Sequence, residues 1–317
     1  MGKDSSIAWC HHTFNPWWGC ANVSPGCVNC YAHTWAKRTG FDLWGARGDR
    51  RTFPEKHWRE PLAWNAAAQR AGERRRVFCA SMADVFEDHP ALPPERAKLW
   101  PLIEATPWLD WLLLTKRIEN VSGMVPWGDN WPENVWIGTS VENQEWADRR
   151  IPILLEIPAI VRFLSCEPLI GPVTLWQVDH DGPDADCDVC GQEDILKCNP
   201  DRGAGGHFKT VYDADGADTD DEEWCPGILK PYPSVDWVIC GGESGHGARR
   251  MDPEWARQLR DTCAYEGVPF LMKQTGAVLA REWKLRDAKG EDMAEWPVDL
   301  QVRQWPDPLG AAQGTLL

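Results

Sequence analysis

Three thiols within eleven residues constrain this chain more than anything else in it: Cys20-Ala-Asn-Val-Ser-Pro-Gly-Cys27-Val-Asn-Cys30, followed by Tyr31. Pro25-Gly26 forces a tight turn just before the second thiol. A loop this short can point three sulfurs at one centre. A structural zinc site wants four ligands and usually opens with a C-x2-C pair. Three thiolates alone suit a four-iron four-sulfur (4Fe-4S) cluster, because they leave one iron free to bind something else. Two plainer readings stand beside that one. The loop is a zinc knuckle completed by Cys10, His11 or His12, or it carries three reduced structural cysteines.

Composition narrows the setting. A chain of 317 residues can bury a large core, as one barrel or two ordinary domains. Its 12 cysteines would mean disulfides in a secreted protein, but the polar start Met1-Gly-Lys-Asp-Ser-Ser lacks the apolar core of a signal peptide. No apolar run approaches a membrane span. The expectation is a cytoplasmic chain with reduced, metal-binding thiols and no membrane partner. Trp is abundant, at 21 residues, and Trp9, Trp17, Trp18, Trp35 and Trp44 surround the cysteine loop in sequence. Rings there would shield a cluster from water, although core packing accounts for most tryptophans.

The net charge of −15 is unevenly spread. Residues 179–223 hold 15 Asp or Glu against Lys197, Arg202 and Lys209, a local −12, so the remainder carries −15 − (−12) = −3. Outside that segment, Arg47, Arg50, Arg51, Lys56 and Arg59, then Arg70, Arg74, Arg75 and Arg76, form a basic stretch. It is a solvated face or a phosphate contact.

Strand-like and helix-like pieces alternate along the chain. Ile7-Ala-Trp9 is a short apolar lead-in. Helical patterns cover Tyr31 to Arg38, Pro61 to Ala71, Pro93 to Ala105, Val141 to Glu156 and Pro253 to Tyr265. Apolar runs of strand length begin at Val77, Trp111, Val135, Ile160, Val235 and Val268. This order implies a parallel α/β sheet, and seven strand candidates favour a partial (β/α) barrel over a flat doubly wound sheet. No Gly-x-Gly-x-x-Gly opens the first helix.

Each run stops at a polar cluster: Ser81 to Asp84, Thr115-Lys116-Arg117, Thr139-Ser140 with Glu142, Ser165-Cys-Glu167-Pro168, Gly241-Gly242-Glu243-Ser244, and Lys273-Gln274. In a parallel barrel these ends share one face, where active sites are built. Carboxylates (Asp84, Glu142, Glu167, Glu243) and cations (Lys116, Arg117, Lys273) would meet in the mouth, a mixture suited to a zwitterionic or phosphorylated ligand.

Asn15-Pro16-Trp17-Trp18-Gly19-Cys20, Ser24-Pro25-Gly26-Cys27-x-x-Cys30-Tyr31, Ser81-Met82-x-Asp84, Leu113 to Arg117, Gly138 to Glu142, Glu167-Pro168-Leu169, Gly241 to Gly245 and Lys273-Gln274 together resemble the phage-associated three-cysteine-motif proteins. That family has no settled function and is similar to the radical S-adenosylmethionine (SAM) enzymes. The resemblance runs from about Trp9 to Gly276, apart from 179–233. It implies a partial (β/α) barrel of the radical SAM type, with a 4Fe-4S cluster on Cys20, Cys27 and Cys30 whose open iron chelates SAM. It further implies that Tyr31, Ser81, Asp84, Ser140, Gly241, Gly242, Glu243 and Ser244 face SAM. Lys116, Arg117, Glu142, Glu167 and Lys273 then act on the substrate. Two departures stand out. The cysteine gaps are six and two rather than three and two, and Asn29 replaces the usual aromatic before the last cysteine. Gly241-Gly242-Glu243 follows a late strand, so either Asp84 or Glu243 holds the SAM ammonium.

The expected layout is a barrel core over 1–178 and 234–280, an insertion over 179–233 and an extension over 281–317. The insertion is acidic and weakly apolar, so a metal would supply its folding energy. Cys187 and Cys190 read as the first half of a zinc ribbon, with Cys225 a third ligand and Cys198 or His207 the fourth. The other readings of this segment are a second iron-sulfur cluster and a disordered loop. The functional expectation is an iron-sulfur enzyme that makes a 5′-deoxyadenosyl radical from SAM, acting on a nucleic-acid base or nucleotide. The other class is a non-catalytic, metal-stabilised binding protein working with a partner chain.

Overall fold

The computed structural model describes residues 2–178, 207–212, 218–225, 229–231 and 235–307. The chain divides into two units, Met1–Val173 with Val235–Leu317, and Thr174–Ser234. In the first, seven strands form one curled, wholly parallel sheet: β1 His12–Thr13, β2 Arg75–Cys79, β3 Leu109–Thr115, β4 Val135–Ser140, β5 Val161–Cys166, β6 Trp237–Gly241 and β7 Phe270–Gln274. Their order across the sheet is their order in the chain. A right-handed crossover repeated without reversal produces a half-barrel rather than a doubly wound sheet. The helices are α1 Tyr31–Arg38, α2 Glu60–Ala71, α3 Pro93–Glu104, α4 Gln144–Leu155, α5 Pro253–Glu266 and α6 Ala277–Glu282. Local chemistry sets their ends. Asn143 caps α4 by accepting the Trp146 N–H at 3.2 Å. Asp252 caps α5 ahead of Pro253, and Gly267 closes it at φ +69°.

The barrel interior is layered. Phe78, Leu112, Trp136, Phe163, Trp237, Ile239 and Leu271 pack together in its lower part. Trp9 enters this layer from outside the sheet, its ring 4.4 Å from Phe78, 6.3 Å from Phe163 and 6.5 Å from Trp237. The lead-in Ile7–Trp9 is therefore a plug, and the first strand is the polar pair His12–Thr13. Gly138 is required because Phe163 lies across it: a Cβ there would strike the ring. Further up the strands the interior positions are Ala80, Leu114, Ser140, Ser165, Gly241 and Lys273. Apart from Leu114, the rings give way to small and polar side chains, which rim a cup at the C-terminal end of the sheet.

The second unit contributes two antiparallel pairs, His207–Tyr212 with Asp218–Cys225 and Trp176–Val178 with Leu229–Pro231. The proposed zinc ligands Cys187, Cys190 and Cys198, and the side chains of Cys225 and His207, lie outside the described residues. Among the described residues, no helix is long and apolar enough to cross a membrane.

Candidate functional site

The cysteine loop sits at the C-terminal ends of the strands, held by side chains from four of them. From the β2 end, Glu87 accepts the Ala21 N–H at 2.8 Å. From the β3 end, Arg117 donates to the Ala21 carbonyl at 2.8 Å and to Cys20 Sγ at 3.6 Å. From the β4 end, Glu142 accepts from Ser24 Oγ at 2.5 Å and from Arg150 at 3.0 Å. A side chain at Gly26 would collide with that same carboxylate. From the β6 end, Glu243 accepts from Asn29 Nδ2 at 2.9 Å, one residue before Cys30. The residue types that looked like a reactive mixture are, in Arg117 and Glu142, buried loop anchors.

All eight cysteines with described side chains are unpaired. Five (Cys10, Cys79, Cys166, Cys240 and Cys263) are buried, and the three of the loop are not. Burial alone pushes the Cys79 thiol far above its ordinary value. Each loop sulfur has a polar neighbour, although only Cys20 and Cys30 face N–H donors, since the Ser24 hydroxyl already donates to Glu142. Cys20 has Arg117, Cys27 lies 3.9 Å from Ser24 Oγ, and Cys30 is faced by the first backbone N–H groups of α1, at Ala32 and His33. Burial pushes Cys20 up to about 12, reinforced by Asp84 and opposed by Arg117. Burial also raises Cys30, against those N–H groups and the nearby Lys116. Such thiols ionise only when something binds them.

Among the described residues, no three His, Cys, Asp or Glu side chains converge on a point that would hold a single ion. A knuckle completed by Cys10, His11 or His12 is not formed. Those residues lie at the opposite end of β1, where His11 Nδ1 accepts the Arg76 N–H at 2.9 Å and the His12 ring stacks on Trp64 at 4.7 Å. Three loop cysteines that do not converge on one ion fit the donor set of a multi-iron cluster, in which each cysteine binds a different iron.

Lys116, Ser140, Glu167 and Lys273 line the cup below. Lys116 donates to Ser140 Oγ at 2.9 Å and, among the described residues, has no carboxylate partner. Lys273 is paired with Glu167. The Tyr31 ring is exposed, while its hydroxyl dips inward to donate to the Ser81 carbonyl at 2.7 Å, where burial raises its pKa. The Ser81 hydroxyl is taken up by Asn15 at 3.0 Å.

The two candidate ammonium partners differ. Asp84 accepts from Phe86 N at 3.0 Å, Thr115 Oγ1 at 2.7 Å, Lys116 N at 3.0 Å and Arg117 at 2.9 Å, so its lone pairs are used. Glu243 also accepts four, from Asn29 Nδ2 at 2.9 Å, the Arg249 backbone N–H at 2.7 Å, and the half-buried Arg249 guanidinium through Nε at 3.0 Å and Nη2 at 2.5 Å. Burial works against its charge, but hydrogen bonds from Arg249 and Asn29 keep its carboxyl below the usual glutamate range. Gly242 packs against the Thr275 and Gly276 backbone, with its N–H on the Gln274 carbonyl at 3.1 Å, and Ser244 stands half-buried beside it.

Part of the basic stretch is consumed internally, while Arg47, Lys56, Arg59 and Arg70 are exposed. Arg50 is buried against Glu87 at 2.8 Å, and Arg74 pairs with Asp110 at 2.5 Å. Arg50 is therefore closed to phosphate, which the sequence could not show. A cleft of about 460 Å³ lies at the N-terminal ends of β1 and β2, among His11, His12, Trp64 and Arg75, away from the cysteine loop.

Residues 4–300 match a family described as protein of unknown function, DUF5131. The chain belongs to that family. No curated protein matches it. Among solved structures it is similar to spore photoproduct lyase with bound AdoMet and dinucleoside spore photoproduct, at 15% identity and a TM-score of 0.37, covering 53% of this chain and 50% of that one. It is also similar to the same enzyme complexed with dinucleoside spore photoproduct, at 14% identity and a TM-score of 0.38, covering 53% and 48%. This DUF5131 chain thus spans about half the length of those neighbours.

Proposed function

We propose that this protein is a radical SAM-type iron-sulfur enzyme whose substrate is a nucleic-acid base or nucleotide. One observation carries the reading. The three thiols that escape the core are set on one short loop at the C-terminal ends of the strands, each beside a polar group and over a ring of mostly small and polar residues. Cys20, Cys27 and Cys30 would hold a 4Fe-4S cluster, with the remaining iron open to SAM. When bound, such a cluster supplies the electron that cleaves SAM to methionine and a 5′-deoxyadenosyl radical, which abstracts hydrogen from the substrate.

The chain's own residues have separate tasks. Arg117, Glu87, Glu142 and Asn29 fix the loop, and so are positioning residues. Glu243 receives the SAM ammonium in preference to Asp84: both accept four hydrogen bonds, but the guanidinium on Glu243 is 32% exposed and free to swing toward solvent, whereas that on Asp84 is 8% exposed. Lys116 and Ser140 offer a cation and a hydroxyl to an anionic group, and Lys273 with Glu167 closes the far wall. The rings of the lower layer keep water from entering beneath. Anaerobic purification with iron and sulfide analysis, followed by assay of 5′-deoxyadenosine release from SAM, tests the proposal. Iron present without SAM turnover would favour the non-catalytic binding protein instead.

A further inference from the structure

Residues 5–41 contain no Asp or Glu, although the chain carries 48. The cysteine loop and α1 lie within that stretch. Four of the eight large hydrophobic side chains that are exposed among the described residues fall there too: Val23, Val28, Tyr31 and Trp35. Along α1, Tyr31, Trp35 and Arg38 recur at i, i+4 and i+7, which puts two rings and a guanidinium on one helical face about 5–6 Å apart. Lys37 is exposed beside them. The Trp35 ring is braced edge-on by Trp18 at 5.0 Å, and Trp18 carries the Arg51 guanidinium 4.6 Å away. An exposed ring costs solvation, and a rigidly supported one is built to be covered.

We infer that this face is a docking platform for single-stranded nucleic acid, with bases stacked on Tyr31 and Trp35 and phosphates met by Lys37 and Arg38. Exposed aromatic rings beside cations, on a helix with no acid of its own and with the loop's glutamates Glu87, Glu142 and Glu243 buried beneath it, are the chemistry that binds single strands without reading sequence. An acidic protein would meet the same cations but gains nothing from rings spaced for stacking. Tyr31 joins the platform to the cup, since its hydroxyl reaches inward while its ring stays outside. A base stacked there is already at the mouth. The inference deepens the proposed function by naming a polymeric substrate, and it rests on that function only for the chemistry after docking.

The test uses the full-length protein and fluorescence anisotropy of a labelled oligothymidylate at low salt. Trp35→Ala should weaken binding about tenfold or more, and Trp35→Phe should restore most of it. Lys37→Glu with Arg38→Glu should abolish binding. Tyr265→Ala, which removes an 80% exposed ring elsewhere, should change nothing. No binding by the folded wild-type protein overturns the inference. So does displacement of the oligonucleotide by polyglutamate as readily as by unlabelled oligothymidylate, which would assign the face to an acidic polypeptide. Because docking needs no metal, either failure leaves the iron and SAM measurements untouched.

Discussion

The lower and upper layers of the barrel interior are built from the same run of strands, β2 to β7, yet they obey different rules. Below, Phe78, Trp136, Phe163 and Trp237 fill the space and exclude water. Above, Ala80, Ser140, Ser165 and Gly241 are small, and several of the polar side chains at the strand ends grip the cysteine loop. Packing is concentrated in one layer and polar contact in the other. The cysteines repeat the contrast, since five are buried core residues and three sit on the loop above the strand ends.

The sharpest way to break this comparison is at the thiols. Cys20→Ala, Cys27→Ala or Cys30→Ala should each abolish iron loading, whereas Cys10→Ala and Cys240→Ala should leave it unchanged. Iron and sulfide analysis of anaerobically reconstituted protein decides. Loss of iron in Cys10→Ala would mean a closed site with a fourth protein ligand, and SAM could not reach the metal.

Next in size is a paired test of the layers. Phe163→Ala should lower unfolding free energy by ~3–5 kcal/mol, through lost burial and the cavity left against Trp9 and Trp237. Ser165→Ala, two residues along the same strand, removes one buried hydroxyl and leaves little cavity, so it should cost about 1 kcal/mol or less. Denaturant titration of both variants measures the contrast. Equal losses would mean that the upper layer is core, and that no cup exists.

Much of this arrangement is legible in the sequence because buried parallel strands are near-continuous apolar runs that end in polar residues. Six of the seven strands show themselves in this way, and α1 runs from Tyr31 to Arg38 as its pattern implies. The first strand does not, because a two-residue strand of His12 and Thr13 carries no hydrophobic signal, while the apolar residues before it turn inward. Nor does sequence say which arginine of a basic run is buried. Arg50 is buried because Glu87, 37 residues away, waits for it at the β2 end. The same limit applies to the carboxylates. Asp84 and Glu243 look alike as residues, and only their partners separate them.

That separation predicts a smaller effect. Glu243→Gln should keep the iron and weaken SAM binding roughly tenfold, the loss of about one charge-assisted hydrogen bond. Asp84→Asn should act on the loop instead, by loosening Arg117 and hence Cys20. Calorimetric titration of SAM into both reconstituted variants checks the assignment. A weaker SAM affinity in Asp84→Asn alone, with the iron retained, would reverse it.

The smallest effect is on pH dependence. Arg249 and Asn29 hold the Glu243 carboxyl below the ordinary glutamate value despite burial, so the folded state releases this proton more readily than the unfolded chain does. A carboxyl depressed in this way adds stability that is fully present above the unfolded value, about 4.3, and is lost as pH falls through the folded value. Glu243→Gln removes that contribution. Wild type and variant should therefore differ in stability at neutral pH and converge on acidification below about pH 4. Thermal melts across that range give the answer. Parallel curves would mean that the carboxylate is not what ties Arg249 to the loop, and the upper layer would then lose one of its four anchors.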